Sequence, residues 1–168
     1  MRIYLTGFMG AGKTTVGSIL ADRLGFDFVD LDAEIERSAG SSVRELFASR
    51  GEPAFRALEH HALAATLQRD DVVVATGGGT LTFATNRELI GSRGWIVWLN
   101  ASFDTIRGRI GALGKDDRPL FRDEQQAWEL YQARLPAYRG ADATVDIGAG
   151  DHPQEVARRI ELMVRSTP

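Results

Sequence analysis

An α/β architecture built on a parallel sheet is the fold class this sequence predicts, and three observations carry the prediction. Short apolar, β-favouring runs alternate with helical patterns from end to end of the chain. One of them, Val72-Val73-Val74-Ala75, is apolar at every position, as a strand covered on both faces should be. Two of the strand candidates lead into glycine clusters, around Gly7 to Gly12 and at Gly77-Gly78-Gly79, and ligands of open parallel sheets bind at the carboxyl ends of their strands. Five such strands alternating with helices imply a parallel sheet flanked by helices on both sides.

Each element follows from its own pattern. Ile3-Tyr4-Leu5 is the first strand and stops at Gly7. The helix after it aligns Val16, Ile19, Leu20 and Leu24 on one face, with Gly25 just past its end. Residues 26–31 form the second strand candidate, ending in Asp30-Leu31-Asp32. Residues 33–68 read as helix, broken near Gly40 and at Gly51-Glu52-Pro53; Ser41 or Ser42 can cap the middle piece, because Glu45 lies three residues beyond Ser42. Residues 72–75 and 95–99 are the third and fourth strands. A helix starting near Ser102 is expected to fade in the glycine- and charge-rich stretch 108–123, and the next helix, 124–138, to kink at Pro136. Residues 143–147 form the last strand, and 153–164 a closing helix with Pro153 near its first turn. No repeat, low-complexity tract or linker interrupts this order, so residues 1–168 are expected to form a single domain.

Composition narrows the function classes. The chain has 43% hydrophobic and 26% charged residues, an ordinary globular mixture. Its 20 Lys and Arg against 23 Asp and Glu give a net charge of −3, which argues against bulk attraction to nucleic acid or an anionic membrane. Cysteine is absent, so disulfides, thiolate metal sites and a cysteine nucleophile are excluded. No apolar run approaches the roughly 20 residues of a membrane span, and Arg2 leads straight into a β-rich run rather than a signal segment. A cytoplasmic protein is expected, with no nucleic-acid or membrane partner. Nothing in the sequence forces an interface, so a monomer is expected.

The strongest chemical signal is Gly7-Phe8-Met9-Gly10-Ala11-Gly12-Lys13-Thr14, which fills every fixed position of the G-x-x-x-x-G-K-[ST] phosphate loop. Glycines let successive backbone N–H groups face inward, so Gly10, Ala11, Gly12, Lys13, Thr14 and Thr15 are the candidate nucleotide-binding residues. The helix that begins there adds its positive end. Lys13 can bridge the β- and γ-phosphates, and the Thr14 hydroxyl can ligate Mg²⁺. A glycine turn with a chance lysine is the bland alternative, but only two lysines exist in the chain, Lys13 and Lys115.

Three further features point to an acceptor site. Alternation along the second strand would send Asp30 and Asp32 the same way, beside the phosphate loop, where one can hold a metal-bound water and the other can deprotonate a hydroxyl. The alternative is that both simply complement the dipole of the next helix. Thr76-Gly77-Gly78-Gly79 can bring backbone N–H groups close to a small ligand, or can be an ordinary turn. Arg56 lies three residues before Glu59, which can hold its guanidinium; Arg134 and Arg118 sit in Arg134-Leu135-Pro136-Ala137-Tyr138 and Arg118-Pro119-Leu120. With eighteen arginines, a solvated surface role is the default for any one of them. A pair of arginines near an acid suits a substrate with a carboxylate and several hydroxyls.

Taken together, Gly51-Glu52-x-x-Phe55-Arg56-x-x-Glu59, Asp30-Leu31-Asp32, Thr76-Gly77-Gly78-Gly79, Arg118-Pro119-Leu120, Arg134-x-Pro136-x-Tyr138 and the phosphate loop continued by Thr15-Val16-Gly17 make the chain resemble the shikimate kinases over nearly its whole length. The resemblance implies a three-layer P-loop kinase fold with a five-stranded parallel sheet, a substrate-binding helical region at about 32–62 and a mobile lid at about 110–124. It implies transfer of the γ-phosphoryl of ATP to the 3-hydroxyl of shikimate, with Mg²⁺ as cofactor. By the same match Asp32 would contact the shikimate hydroxyls and serve as base. Arg56 and Arg134 would hold the carboxylate, with Gly78 offering its N–H between Gly77 and Gly79. Lys13 and Arg118 would stabilise the transferring group, Thr14 would bind Mg²⁺ directly, and Asp30 would act on it through water. Either Arg107 or Arg109 would face adenine, with Pro153 as a pocket wall, while Asp151 stands where several members carry a basic nucleotide-contacting residue. Two other readings compete: another small-molecule kinase on this scaffold, such as a gluconate kinase, and a non-catalytic nucleotide-sensing module.

Overall fold

The computed structural model describes residues 1–113 and 123–166. Five parallel strands form one sheet: β1 (Arg2–Thr6), β2 (Asp27–Asp30), β3 (Val72–Ala75), β4 (Trp95–Ala101) and β5 (Ala143–Ile147). Their order across the sheet is β2-β3-β1-β4-β5, so β1 lies in the middle, paired on one side with β3 (Ile3 opposite Val73) and on the other with β4 (Ile3 opposite Trp95). The chain leaves β1 toward β2 at one edge and leaves β3 toward β4 on the opposite side. The crevice between the ends of β1 and β3 is therefore the switch point at which such sheets bind ligands.

Among the described residues the helices are α1 (Lys13–Leu24), α2 (Leu31–Ala39), α3 (Val43–Thr66), α4 (Ala84–Ile90), α5 (Phe103–Leu113), α6 (Glu124–Tyr138) and α7 (Pro153–Ser166). The apolar run of β3 is explained by its two faces. Val73 packs with Ile3, Leu5, Val97 and Leu99 against α1, α5, α6 and α7. Val72 and Val74 pack with Tyr4 and Ile96 against α2, α3 and α4. Helix α1 lies so close to the sheet that a Cβ on Gly17 would stand 2.8 Å from the Phe28 ring, which is why that position is glycine.

Several expectations shift. The second strand ends at Asp30, and Leu31 already opens α2, so Asp32 sits in the first turn of a helix rather than on a strand. The physical reason is the cap: Asp30 keeps an extended backbone (φ −91°, ψ 115°) while its carboxylate accepts the N–H of Ala33, which starts the helix one residue earlier than alternation suggests. The break at Gly51 is a kink (φ 79°, ψ 168°) inside α3, whose start carries the full Ser42/Glu45 capping box. Helix α5 runs through Gly108 and Gly111 to Leu113, inside the stretch 108–123 expected to end it, and residues 114–122 lie outside the described residues. Helix α6 passes through Pro136 and ends two residues later, so the proline falls in its last turn. A 3₁₀ turn at Thr80–Thr82 and helix α4 occupy a stretch for which the sequence pattern indicated no element. Most of the expected lid, including Lys115 and Arg118, lies outside the described residues. Among the described residues no helix is long and apolar enough to cross a membrane.

Candidate active site

The phosphate loop is shaped by backbone conformations that side chains resist. Gly10 and Gly12 take φ of 78° and 97°, and at Gly7 (φ 144°) a Cβ would stand 2.7 Å from the Leu99 carbonyl oxygen. Gly12 is the N-cap of α1 and has no side chain to occupy the first amides of the helix. Lys13 opens that helix, and its Nζ donates back to the carbonyls of Gly7 (2.7 Å) and Phe8 (3.1 Å), spanning the loop where phosphate oxygens would sit. Behind the loop, Arg109 of α5 donates to the carbonyls of Gly10 (3.4 Å), Ala11 (3.3 Å) and Gly148 (3.4 Å). Of the two arginines, Arg109 lines the cleft, whereas Arg107 pairs with Asp104 on an exposed face.

Asp30 makes two contacts at once. One of its oxygens caps α2 and the other accepts the Thr14 hydroxyl at 2.6 Å. This places a hydroxyl and one carboxylate side by side at the mouth of the phosphate loop. Mg²⁺ takes few protein ligands, often one or two carboxylates, and completes its shell with water and phosphate oxygens, so the donor set fits. Among the described residues there is no cluster of three or more His, Cys, Asp or Glu that could hold a metal without phosphate. Asp32 differs from its neighbour. Burial pushes its carboxyl up to about 6, with the charges of Asp30 and Glu59 adding to the rise and Lys13 opposing it. That is the range in which a carboxylate is ionised at neutral pH yet still a useful base.

Across the glycine turn after β3 lie the two arginines. A Cβ on Gly79 would stand 2.6 Å from Nη2 of Arg56 and 3.1 Å from Nη2 of Arg134, and one on Gly78 would stand 3.0 Å from Nη1 of Arg134. Two guanidinium groups therefore converge on one stretch of bare backbone, an arrangement open only to glycine. Arg56 is set among the rings of Phe47, Phe55 and Phe83, at 5.9, 5.4 and 5.1 Å, and is tied to Glu59 at 2.8 Å and Glu52 at 3.3 Å. Arg134 lies over the ring of Phe8 at 5.7 Å. The Tyr138 hydroxyl donates to the Gly78 carbonyl at 2.6 Å, and burial pushes that phenol up to about 12, so it remains a donor. This brace went unrecognised in the sequence, although Tyr138 belongs to the Arg134-x-Pro136-x-Tyr138 motif.

A cleft of about 880 Å³ runs past the phosphate loop, Asp30, Asp32, Gly77 and Gly78. Arg56, Gly79 and Arg134 stand beyond its end, around the turn. At its other end are Ile147, Pro153 and Asp151. Asp151 accepts the N–H of Gly148 at 3.0 Å and pairs with Arg159 at 2.6 Å. Those bonds hold its carboxyl below the usual range and spend it on closing the loop after β5. Arg118 falls outside the described residues.

With phosphate-binding backbone on one side of Asp32 and a twin-arginine pocket on the other, the cleft is laid out to move a phosphoryl group from a nucleotide to a small, anionic, hydroxyl-bearing acceptor. The class so defined is that of the P-loop small-molecule kinases. Known proteins identify the branch. The shikimate kinase family model matches residues 9–165. A shikimate kinase of Chlorobium chlorochromatii is 40% identical over 98% of this chain and 93% of its own. The solved shikimate kinase from Acinetobacter baumannii in complex with shikimate superposes with a TM-score of 0.90 at 38% identity, covering 98% of this chain and 93% of that one. A gluconokinase from Sinorhizobium meliloti 1021 shares the fold alone, at 20% identity and a TM-score of 0.61 over 99% and 97% of the two chains. This chain belongs to the shikimate kinase family.

Proposed function

We propose that the chain transfers the γ-phosphoryl group of ATP to the 3-hydroxyl of shikimate, giving 3-phosphoshikimate and ADP. The observation that carries this reading is the convergence of Arg56 and Arg134 on the Gly78-Gly79 backbone, beside an acid held near neutrality. A monocarboxylate with neighbouring hydroxyls matches both halves of that arrangement. The carboxylate is held by the two guanidinium groups and the Gly78 N–H, flanked by Gly77 and Gly79. The ring hydroxyls then lie toward Asp32.

Asp32 takes the proton of the acceptor hydroxyl. The hydroxyl oxygen forms its bond to the γ-phosphorus as the bond to the β–γ bridging oxygen breaks, and ADP departs with that electron pair. Lys13 exchanges the Gly7 and Phe8 carbonyls for phosphate oxygens, while the amides of residues 10–15 hold the remaining charge. Thr14 directly, and Asp30 through water, would hold Mg²⁺, which would supply charge neutralisation at the phosphates. Arg118 completes the neutralisation from a lid at about 110–124, and residues 32–62 form the acceptor-binding region. The single domain of residues 1–168 acts as a cytoplasmic monomer, with ATP and shikimate as its partners.

A coupled ADP-release assay with Mg²⁺ and ATP, comparing shikimate, gluconate and no acceptor, tests the reading. Shikimate-dependent release is expected. Release with gluconate alone would keep the chemistry and discard the acceptor assignment, and ATP binding without release for any acceptor would leave a nucleotide-sensing module.

A further inference from the structure

Behind the acceptor pocket runs a buried polar chain. The carboxylate of Glu59, 1% exposed, accepts Nη1 of Arg56 on one oxygen at 2.8 Å and the hydroxyl of Thr80, fully buried, on the other at 2.7 Å. The Thr80 carbonyl in turn accepts Nδ2 of Asn86 at 2.8 Å. The other end of that amide, Oδ1, meets Nδ1 of His60 at 2.6 Å, so this ring nitrogen carries the hydrogen. The chain joins two successive residues of α3 to the turn after β3 and to the start of α4. Gly77 leaves room for its central bond: a Cβ there would stand 3.0 Å from the Thr80 hydroxyl and 3.2 Å from Glu59 Oε2.

We propose that Thr80 is a positioning residue for the acceptor: with its backbone carbonyl held by Asn86, its hydroxyl locks the Glu59 carboxylate and thereby aims the Arg56 guanidinium at the Gly78-Gly79 backbone. The inference rests on the reading that Arg56 holds the acceptor's carboxylate. The other neighbours of Arg56 attract it without fixing its direction. Ring faces accept a cation over a broad range of geometry, and Glu52 is 3.3 Å away with a mostly exposed side chain. Glu59 is the buried partner, and a carboxylate gripped at one oxygen can still turn about its last torsion. The Thr80 bond removes that freedom. Without it, a buried oxygen loses its donor, and the carboxylate turns to take both oxygens to Arg56, which draws the guanidinium off its aim. The phosphate loop, which follows a different strand, is unaffected.

Steady-state kinetics on Thr80→Val, Thr80→Ser, Arg56→Ala and the Arg56→Ala/Thr80→Val double variant test this. Thr80→Val should raise the KM for shikimate about 10-fold while the KM for ATP stays within about 2-fold. Thr80→Ser restores the donor and should return the shikimate KM to the wild-type value. In the Arg56→Ala background the valine should add less than about 2-fold, since its effect passes through a guanidinium already removed. Should the valine variant not fold, Thr80→Ala carries the same expectation. An unchanged shikimate KM, an equal rise for ATP, an equal rise with serine, or full multiplication in the double variant would each overturn the role given to Thr80. Wild-type protein that turns over no shikimate would instead sink the functional reading, a result separable from all of these.

Discussion

The two halves of the cleft are built by opposite means. On the nucleotide side the work is done by backbone: glycines at positive φ, amides at the start of α1, and one lysine folded onto its own loop. On the proposed acceptor side it is done by side chains, Arg56, Arg134 and Asp32, and Arg56 is tied to the buried Glu59 of α3 while Arg134 of α6 lies over the Phe8 ring. A phosphate group asks only for a concave array of donors, and contiguous residues can supply one. A specific small molecule asks for charges at particular separations, and those must be drawn from several elements.

The sharpest test of this division is the pair Asp32→Asn and Lys13→Ala. Asp32→Asn should lower kcat about 10²- to 10⁴-fold with the ATP KM nearly unchanged, because the base is lost and the loop is intact. Lys13→Ala should lower kcat on a similar scale, with the shikimate KM little changed. Stopped-assay kinetics in both substrates would decide, and crossed effects on the two KM values would break the separation of the halves.

Next in size is Gly79→Ala. Its backbone (φ −97°, ψ −12°) tolerates alanine, so the fold should survive, but the methyl would stand 2.6 Å from the Arg56 guanidinium. The shikimate KM should rise about 10- to 100-fold with the ATP KM unchanged. Arg56→Ala should likewise act mainly on the shikimate KM; a KM left untouched would remove Arg56 from the pocket.

The pH dependence follows from Asp32, whose carboxyl is raised to about 6. In the free enzyme, kcat/KM for shikimate should fall as pH drops through about 6, and that limb should vanish in Asp32→Asn. Stability runs the other way. Because the folded-state value lies above the ordinary 3.8, the native state binds the proton more tightly than the unfolded chain. The stabilisation is fully present below the unfolded value and is lost as pH rises through about 6. Asp32→Asn should therefore be more stable than wild type at pH 7–8 by about 1–3 kcal/mol, a gap that closes toward pH 4. Urea melts at the two pH values would show it, and a variant less stable at pH 8 would contradict the assigned burial cost.

The smallest effect is expected at the loop after β5. Asp151→Ala removes the tie to Gly148 and Arg159 and should raise the ATP KM no more than about 5-fold, leaving the shikimate KM alone.

Legibility in the sequence followed the same division. The phosphate loop could be read whole, because its function depends on residues adjacent in the chain. Arg56 and Glu59 could be paired from helical spacing alone, and the structure joins them at 2.8 Å. Asp30 and Asp32 were recognisable as site residues on an argument that the fold replaces: they do not share a strand face, since Asp30 caps the helix that carries Asp32. Arg109 could not be told from Arg107, because both belong to the same helix and only its packing against the phosphate loop separates them. Thr80, Asn86 and the Tyr138 brace had no signal in spacing, since each meets a partner from another element.

Periodicity, glycine placement and helical spacing are local properties of the chain, and they were enough to read the alternation of strands and helices, the phosphate loop and the residue types of the proposed acceptor site. The tertiary structure decided the strand order that puts the β1 and β3 loops side by side. It also decided the convergence of Arg56 and Arg134 on one glycine turn and the burial that brings Asp32 near neutrality. Those depend on contacts between residues far apart in sequence, and on the exclusion of water that only packed elements achieve.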